Sequence, residues 1–416
     1  MKILVLTDRF FPEISAPSVR IKDHARVWLE LGHEVTIVTC APNFPRGKLF
    51  EGYRNRVHQE EWIDGIRVVR VWSYMTANEG FLKRTLDYTS FMISSTLLSF
   101  RYPDFDVILA TSPPIFAAAA GYLVSRLRRR PWVFEIRDLW PASIKAVGVG
   151  DGPIIRLLER VELFLYRKAH RIVSLTHSFK KDLTARGVPV EKNTVVLNGV
   201  DTSAFGPDHV TFDARVDLGV PVDVFLAGYV GTTGMAHGLE TVVDAAKLCE
   251  DDAGICFLIM GEGAEREKLQ NAVARRGLSN VVFHDFAPHD SMPSYLAALD
   301  ASIVHLRPDP LFKTVIPSKI FEAMAMGTPI LMAVEGESAE IVENSGSGLC
   351  IPSGNPRAMA DAVVRLSNDK TLREKLSRAG RLAADTKFSR RANASALLTS
   401  LEAAIRDHPQ DGARHG

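Results

Sequence analysis

The stretch Thr314-Val315-Ile316-Pro317-Ser318-Lys319-Ile320-Phe321-Glu322-Ala323-Met324-Ala325-Met326-Gly327-Thr328-Pro329 holds the start, body and stop of one helix. Pro317 and Ser318 are residue types that favour a helix N-terminus. Ile320, Phe321, Met324 and Ala325 recur at the spacing of a helix facing a core. Gly327 suits the residue after the last turn, and Pro329 stops the helix from continuing. Ile330 to Val334 then reads as a short buried strand. Into this apolar helix are set one cation, Lys319, and one anion, Glu322, three residues apart and therefore on one face. A charged pair at the start of a buried helix in an α/β chain is placed where such folds bind phosphates and sugars. The competing reading is a surface ion pair, which is common and worth little.

Outward from this stretch the chain alternates strands and helices. Ile3–Thr7 reads as a strand, Asp8 to Pro17 as a loop, Val19–Leu31 as a helix, and Glu34–Cys40 as the second strand. Val57–Val71 reads as a hairpin turning at Asp64-Gly65. Further strands follow at Val107–Ala110, Trp132–Ile136, Ile172–Leu175 and Thr194–Leu197, with helices between them. From Asn198 to Asp223 the pattern lapses into Gly, Pro, Asp and Ser, which reads as a linker. The alternation restarts at Val224–Val230 and runs through Ile255–Met260, Val281–Phe283 and Ala301–Leu306. Two successive βα halves imply an α/β protein with two parallel sheets, and a ligand cleft is expected between them.

The 416 residues are enough for two domains, each with its own core. A net charge of +1, with 46% hydrophobic and 24% charged residues, fits an ordinary globular protein and argues against a nucleic-acid partner. Cys40, Cys249, Cys256 and Cys350 form no CxxC pair and read as reduced, buried thiols. No metal site is expected, since Asp104-Phe105-Asp106 has no partner His or Glu nearby. The Met1 to Asp8 segment is too short for a signal peptide.

Several segments together resemble retaining glycosyltransferases of family 4, which have the GT-B fold. They are Leu197-Asn198-Gly199-Val200-Asp201, Gly261-Glu262-Gly263, Asn280-Val281-Val282-Phe283, the stretch from Pro317 to Ile330, Glu340-Ile341-Val342 and Gly348-Leu349-Cys350-Ile351-Pro352. The Pro317-Ser318-Lys319 run is similar to a branch that builds lipid-linked glycans, O-antigens and capsules. The resemblance implies two Rossmann-like domains facing each other across a cleft. These would be 1–200 for the acceptor, 201–385 for the nucleotide sugar, a helix over 386–406 returning to the first domain, and a disordered tail at 407–416.

The resemblance also implies roles. Glu322 would accept hydrogen bonds from the donor ribose, and Lys319 would hold the departing diphosphate. The family often has a second glutamate where this chain has Thr314, so the usual sugar contact is missing there. Many relatives place Arg and Lys in the first loop of the donor domain, where this chain has Thr232 and His237. Gly231 lets the backbone approach a phosphate at a helix N-terminus. Gly261 and Ser318 join it in the expected donor site. Phe286 and Ala287 fall where the family holds the nucleobase, with core packing as the alternative for Phe286.

In the first half, Arg137-Asp138-Leu139-Trp140-Pro141 is similar to a run in the lipid-linked-glycan branch. Asp138, at the carboxyl end of a strand, is the candidate to orient the acceptor or take its proton. Arg20 is a candidate phosphate contact, or a solvated helix residue. His177, opening a helix, is a third acceptor-side candidate.

Residues 81–101 and 126–130 combine apolar runs with Lys and Arg, which suits docking on an anionic membrane face; a core helix with solvated ends is the alternative. The expected activity is transfer of a sugar of hexosamine type from a UDP-sugar to a glycan or polyprenyl-linked acceptor. No cofactor is expected beyond the donor itself, and the expected location is the cytoplasm at the inner face of the membrane. Two rivals are a GT-B-fold sugar-nucleotide epimerase and a non-catalytic nucleotide-sugar-binding subunit.

Overall fold

The computed structural model describes residues 1–44, 46–76, 81–140, 142 and 152–408. The chain divides into two compact units, passing from the first to the second between Leu197 and Asn198 and back between Ser389 and Arg390.

The first unit opens with β1 (Lys2–Leu6), α1 (Ala16–Glu30) and β2 (Glu34–Cys40). α1 begins before Val19 because Ser15 caps it. The Ser18 amide donates to Ser15 Oγ and the Ser15 amide donates to Ser18 Oγ, so two orphan donors are satisfied at once. The hairpin β3 (His58–Ile63) and β4 (Ile66–Val71) turns at Asp64 and Gly65, both left-handed with φ of 49° and 79°. That is the backbone an Asp-Gly turn supplies. Then come α2 (Phe81–Leu97), β5 (Val107–Ser112), α3 (Ile115–Arg128), β6 (Trp132–Ile136), α4 (Pro153–Lys168), β7 (Arg171–Ser174), α5 (His177–Ala185) and β8 (Asn193–Val195). The sheet runs β3-β4-β2-β1-β5-β6-β7-β8, parallel except for β3. Strand order reverses between β1 and β5, so their carboxyl ends flank a crevice.

The second unit begins inside the stretch read as a linker. That stretch holds a single 3₁₀ turn over Pro207–His209 and a short helix, α6 (Ala214–Leu218). Asp213 caps α6 and Gly219 ends it at φ 66°, while Arg215 pairs with Asp300 at 2.6 Å. Its Asp, Gly and Pro residues are helix caps and turns, so the linker reading is overturned. β9 (Phe225–Val230), α7 (Glu240–Leu248), β10 (Ile255–Met260), α8 (Arg266–Arg276), β11 (Val281–His284), α9 (Met292–Ala297) and β12 (Ala301–His305) follow. They are succeeded by α10 (Lys319–Met326), β13 (Ile330–Ala333), α11 (Glu337–Ser345), β14 (Gly348–Cys350), α12 (Pro356–Asn368) and α13 (Lys370–Thr386). The sheet order is β11-β10-β9-β12-β13-β14, all parallel. β9, β10 and β12 are buried along their whole length, which is why β9 and β10 read as unbroken apolar runs. Here the order reverses between β9 and β12.

The last helix, α14 (Arg390–Asp407), belongs to the first unit. Leu397, Leu398, Leu401 and Ala404 share one core with Ile3, Trp28, Leu109 and Val133. Trp28 Nε1 donates to the Ala394 carbonyl at 2.9 Å. Arg390 pairs with Asp23 of α1, and Asp407 pairs with Arg171 at the start of β7. Asp407 is therefore part of a helix and not of a disordered tail; residues 409–416 lie outside the described residues. Cys40, Cys249 and Cys256 are free and buried, whereas Cys350 is free but half-buried.

Candidate active site

In the second unit the site forms at the carboxyl ends of β9 and β12. Gly231, directly after β9, has φ 142°, and a Cβ there would lie 2.8 Å from Lys319 Nζ. A side chain at position 231 would therefore be both strained and in the way of the lysine. Lys319 is the first residue of α10, whose Ile320, Phe321, Met324 and Ala325 anchor it in the core. Ser318 sits at the N-cap position in helical conformation and makes no side-chain cap. The first-turn amides of α10 are thus not covered by its hydroxyl. Lys319 Nζ rests 3.6 Å from the centroid of the Tyr229 ring. Burial brings its pKa down to about 7, against the opposing pull of Glu322. Glu322 is half-buried, and no described residue hydrogen-bonds its carboxylate, so its oxygens are open to a ligand's hydroxyls.

The loop after β9 is held from several directions. Tyr229 Oη donates to the Thr232 carbonyl at 2.7 Å. The Thr233 amide donates to the Glu262 carbonyl and the Gly231 amide to the Met260 carbonyl. Gly261 and Gly263 press against this loop: their added Cβ atoms would meet the Gly231 and Thr233 carbonyl oxygens at 2.0 and 2.5 Å. Gly261 therefore supports the loop from behind. Thr232 is exposed. Burial first, then the Lys319 charge, pushes the pKa of His237 down to about 4, so its imidazole is neutral at pH 7. It cannot supply the charge that an Arg or Lys brings to this loop. His305, ending β12, bonds the His237 carbonyl through Nδ1 at 2.6 Å and accepts from the Gly354 amide at Nε2. Thr314 spends its hydroxyl on the Leu311 carbonyl at 2.7 Å. Ala287 is buried, whereas Phe286 is 48% exposed, so the core reading of Phe286 is overturned.

In the first unit Arg137 and Asp138 follow β6 directly. The Arg137 amide donates to the Ser112 carbonyl at the end of β5, and its guanidinium donates to the Ser112 and Pro113 carbonyls. This fixes the turn and leaves Asp138 half-buried at the carboxyl edge of the sheet. His177 is exposed at the first position of α5, past the end of β7. Arg20 is elsewhere. It is 3% exposed, its Nε donates to Glu135 at 3.0 Å, and its other nitrogens bond the Val196 and Leu197 carbonyls. Neither the phosphate-contact nor the solvated reading of Arg20 survives, because its donors are consumed inside the unit.

Three carboxylates absent from the sequence reading gather at the end of β1. Asp8, Glu13 and Asp87 line a cavity of about 20 Å³ with Arg9, Arg84 and Tyr88, room for roughly one water-sized group. Burial, then the neighbouring Asp8 charge, raises Asp87 to about 7. Among the described residues no group of three or more His, Cys, Asp or Glu side chains is arranged to hold a metal ion.

The family model for glycosyl transferases group 1 matches residues 211–383, and that for the glycosyl transferase 4-like domain matches residues 15–199. The two meet the two units in order and between them cover most of the chain. The chain belongs to the GT-B glycosyltransferases. A putative colanic acid biosynthesis glycosyl transferase of Escherichia coli K12, WcaI, is 25% identical over 378 residues, spanning 87% of this chain and 91% of the relative. The 2-deoxystreptamine N-acetyl-D-glucosaminyltransferase of Streptomyces fradiae is 30% identical over 264 residues, 60% of each chain. The structure of Anabaena Alr3699/HepE in complex with UDP and glucose superposes with a TM-score of 0.73 at 19% identity, over 97% of this chain and 99% of that one.

For this glycosyltransferase, sequence reasoning located Lys319, Glu322 and Gly231, which the fold brings to one crevice. It missed Tyr229 and His305, which look like ordinary strand residues. The signal available for Asp8 was its place one residue past an expected strand, the same argument that selected Asp138.

Proposed function

We propose that the chain is a cytoplasmic retaining glycosyltransferase that moves a sugar of hexosamine type from a UDP-sugar to a hydroxyl of a lipid-linked glycan in cell-surface polysaccharide synthesis. The observation that carries the reading is Lys319: a cation set on an aromatic face beside Gly231, at a helix start. In that position Nζ and the α10 first-turn amides would neutralise the leaving diphosphate, and Glu322 would bind the ribose. Ser318 lines the same helix start, and Thr232 adds one hydroxyl. Phe286 and Ala287 would hold the base. UDP as the nucleotide draws support from the UDP-bound fold neighbour, and the hexosamine from the Streptomyces relative. Polysaccharide synthesis draws support from WcaI. Asp138 would orient the acceptor hydroxyl, with His177 further out along the same edge. With no enzymic nucleophile in the proposed scheme, the donor phosphate would take the acceptor proton on the face the diphosphate leaves.

Peripheral contact with the membrane belongs to the same reading. On α2 and the turn after it, Leu82, Leu86, Leu97 and Phe100 are 76%, 57%, 72% and 68% exposed. The reading of this segment as a core helix does not hold for that face. Lys83 and Arg101 border it. No described helix is long and apolar enough to cross a membrane.

Replacing Lys319 with Ala removes the charge and is expected to cut turnover of UDP-sugar by roughly 10²–10³-fold, with an unchanged circular-dichroism melt. Turnover within a few-fold of the unmodified enzyme would sink the assignment.

A further inference from the structure

The cavity at the carboxyl end of β1 has no part in the transfer scheme above. Asp8, Glu13 and Asp87 line it together with Arg9 and Arg84. Glu13 is 2% exposed. Its Oε1 accepts from the Asn43 and Phe44 amides at 2.5 and 2.8 Å, whereas its Oε2 accepts from no described residue. A buried carboxylate oxygen without a donor is costly, so a donor from a ligand is expected there. The two arginines do not supply one. Arg9 sits over the Phe44 ring, 3.6 Å from its centroid, and its Nε is 3.6 Å from Asp8, beyond hydrogen-bond length. Arg84 uses Nε and one terminal nitrogen on Tyr88 Oη, at 3.3 and 3.1 Å. Asp87 is in no ion pair among the described residues.

Three carboxylates thus face two guanidiniums, and the groups around the cavity respond to a negative surplus. Asp87 is raised to about 7 by burial, then by Asp8 and further by Glu13, against the pull of Arg9 and Arg84. The Cys40 thiol, which also lines the cavity, is pushed up by burial and then by Glu13, Asp8 and Asp87. A positive charge placed here would relieve all of them. The cavity, about 20 Å³, admits a group the size of one water. An ammonium has that size and brings three N–H donors, one for each carboxylate. A neutral hydroxyl brings one donor and no charge. Arg9, Arg84 and Asp87 are half-buried, so the cavity reaches the surface of the first unit.

We infer that this cavity binds a primary ammonium group carried by the acceptor, with Asp8, Glu13 Oε2 and Asp87 accepting its hydrogen bonds. The inference rests on the glycosyltransferase reading above and names the chemistry of its acceptor: a glycan with a free amine. The place suits that role. β1 and β6 are separated in the sheet by β5 alone, and Arg137, the neighbour of Asp138, acts electrostatically on Asp8. An amine held at the end of β1 would anchor the acceptor along the edge at which Asp138 is proposed to orient its hydroxyl.

Two measurements on the full chain test it. In the first, methylammonium chloride should raise the melting temperature above that in tetramethylammonium chloride or potassium chloride of equal ionic strength, since ligand binding stabilises the folded state. Glu13→Gln and Asp87→Asn keep the shape of the side chains and should each abolish that difference; their melting temperatures without added amine exclude misfolding. In the second, calorimetry and transfer assays compare octyl glucosaminide and octyl 6-amino-6-deoxyglucoside with their N-acetyl derivatives. One free amine should be preferred over its N-acetyl form by roughly tenfold or more, the range of a charge-assisted hydrogen bond, and Glu13→Gln should remove the preference. An equal or larger shift with potassium overturns the inference in favour of a metal-cation site. A methylammonium shift with no preference among the sugars overturns the acceptor as the source of the amine. Transfer to both members of each pair alike, with no methylammonium shift, overturns the inference and leaves the glycosyltransferase reading standing. A methylammonium shift in a protein that transfers to no sugar overturns that reading, and the acceptor with it, while the cation site stands.

Discussion

Lys319 is a lysine at the edge of its charge. Its pKa of about 7 lies below the usual 10.5 because burial disfavours the ammonium. A bound diphosphate favours the charged form and raises that pKa, so above pH 7 binding must take up a proton. UDP affinity is therefore expected to be flat below pH 7 and to fall by up to about tenfold per pH unit above it. Calorimetric titration from pH 6 to 9 checks this, and Lys319→Met should bind weakly with no such slope. Tyr229 gives a second expectation. Tyr229→Phe keeps the ring under the ammonium but removes the bond to the Thr232 carbonyl. A several-fold weaker UDP affinity is expected, of the order of one lost hydrogen bond, about 1 kcal/mol. An unaltered dissociation constant would show that the loop does not depend on it. At this scale the sequence revealed residues whose type is unusual for their place, such as a lysine opening an apolar helix. It concealed residues whose partner is distant. Arg20 on an amphipathic helix looks the same whether it meets solvent, a phosphate or Glu135, which is 115 residues away.

Among elements, the strands were the most legible. Glu34–Cys40, Trp132–Ile136 and Ile255–Met260 run between the residues that their apolar patterns imply, because parallel strands covered on both faces are mostly apolar. The Asp64-Gly65 turn was legible for a local steric reason. The stretch from Asn198 to Asp223 was not, because caps, turns and true linkers draw on the same residue types. α1 holds the chain at both ends of its excursion into the second unit. It carries Arg20, which holds the last residues before the chain leaves the first unit, and Asp23, which holds the first residue on its return. Arg20→Ala leaves the Glu135 carboxylate buried without its partner and should cost about 3–5 kcal/mol, read as a lower melting temperature of the first unit. Leu401→Ala on α14 opens a cavity between α14 and the sheet and should cost about 2–5 kcal/mol, measured by denaturant unfolding. UDP affinity should be unaffected by Leu401→Ala, because the residue lies in the other unit.

For the whole molecule, the two units differ in how the chain builds them. The second runs without interruption from Asn198 to Ser389 and has its own core around Tyr229, Ile259, Ile303 and Leu331. Residues 198–389 expressed alone should fold and show a thermal shift with UDP; a fragment that stays unfolded would mean that the second unit depends on the first. Residues 1–197 alone should not form a stable unit, since the apolar face that α14 covers would be open to water.

The late return of α14 also has a consequence during synthesis. The ribosome delivers Met1 to Leu197 first, but the helix that closes that core arrives after the entire second unit has been made. The unit started earliest is thus finished last, and the growing chain must carry an uncovered apolar face through most of its elongation. A nascent chain in this state is a natural client for a chaperone. A premature stop anywhere before Arg390 would leave the first unit unsealed, whatever the state of the second. Completion of the first unit thereby reports that translation has run past Ser389.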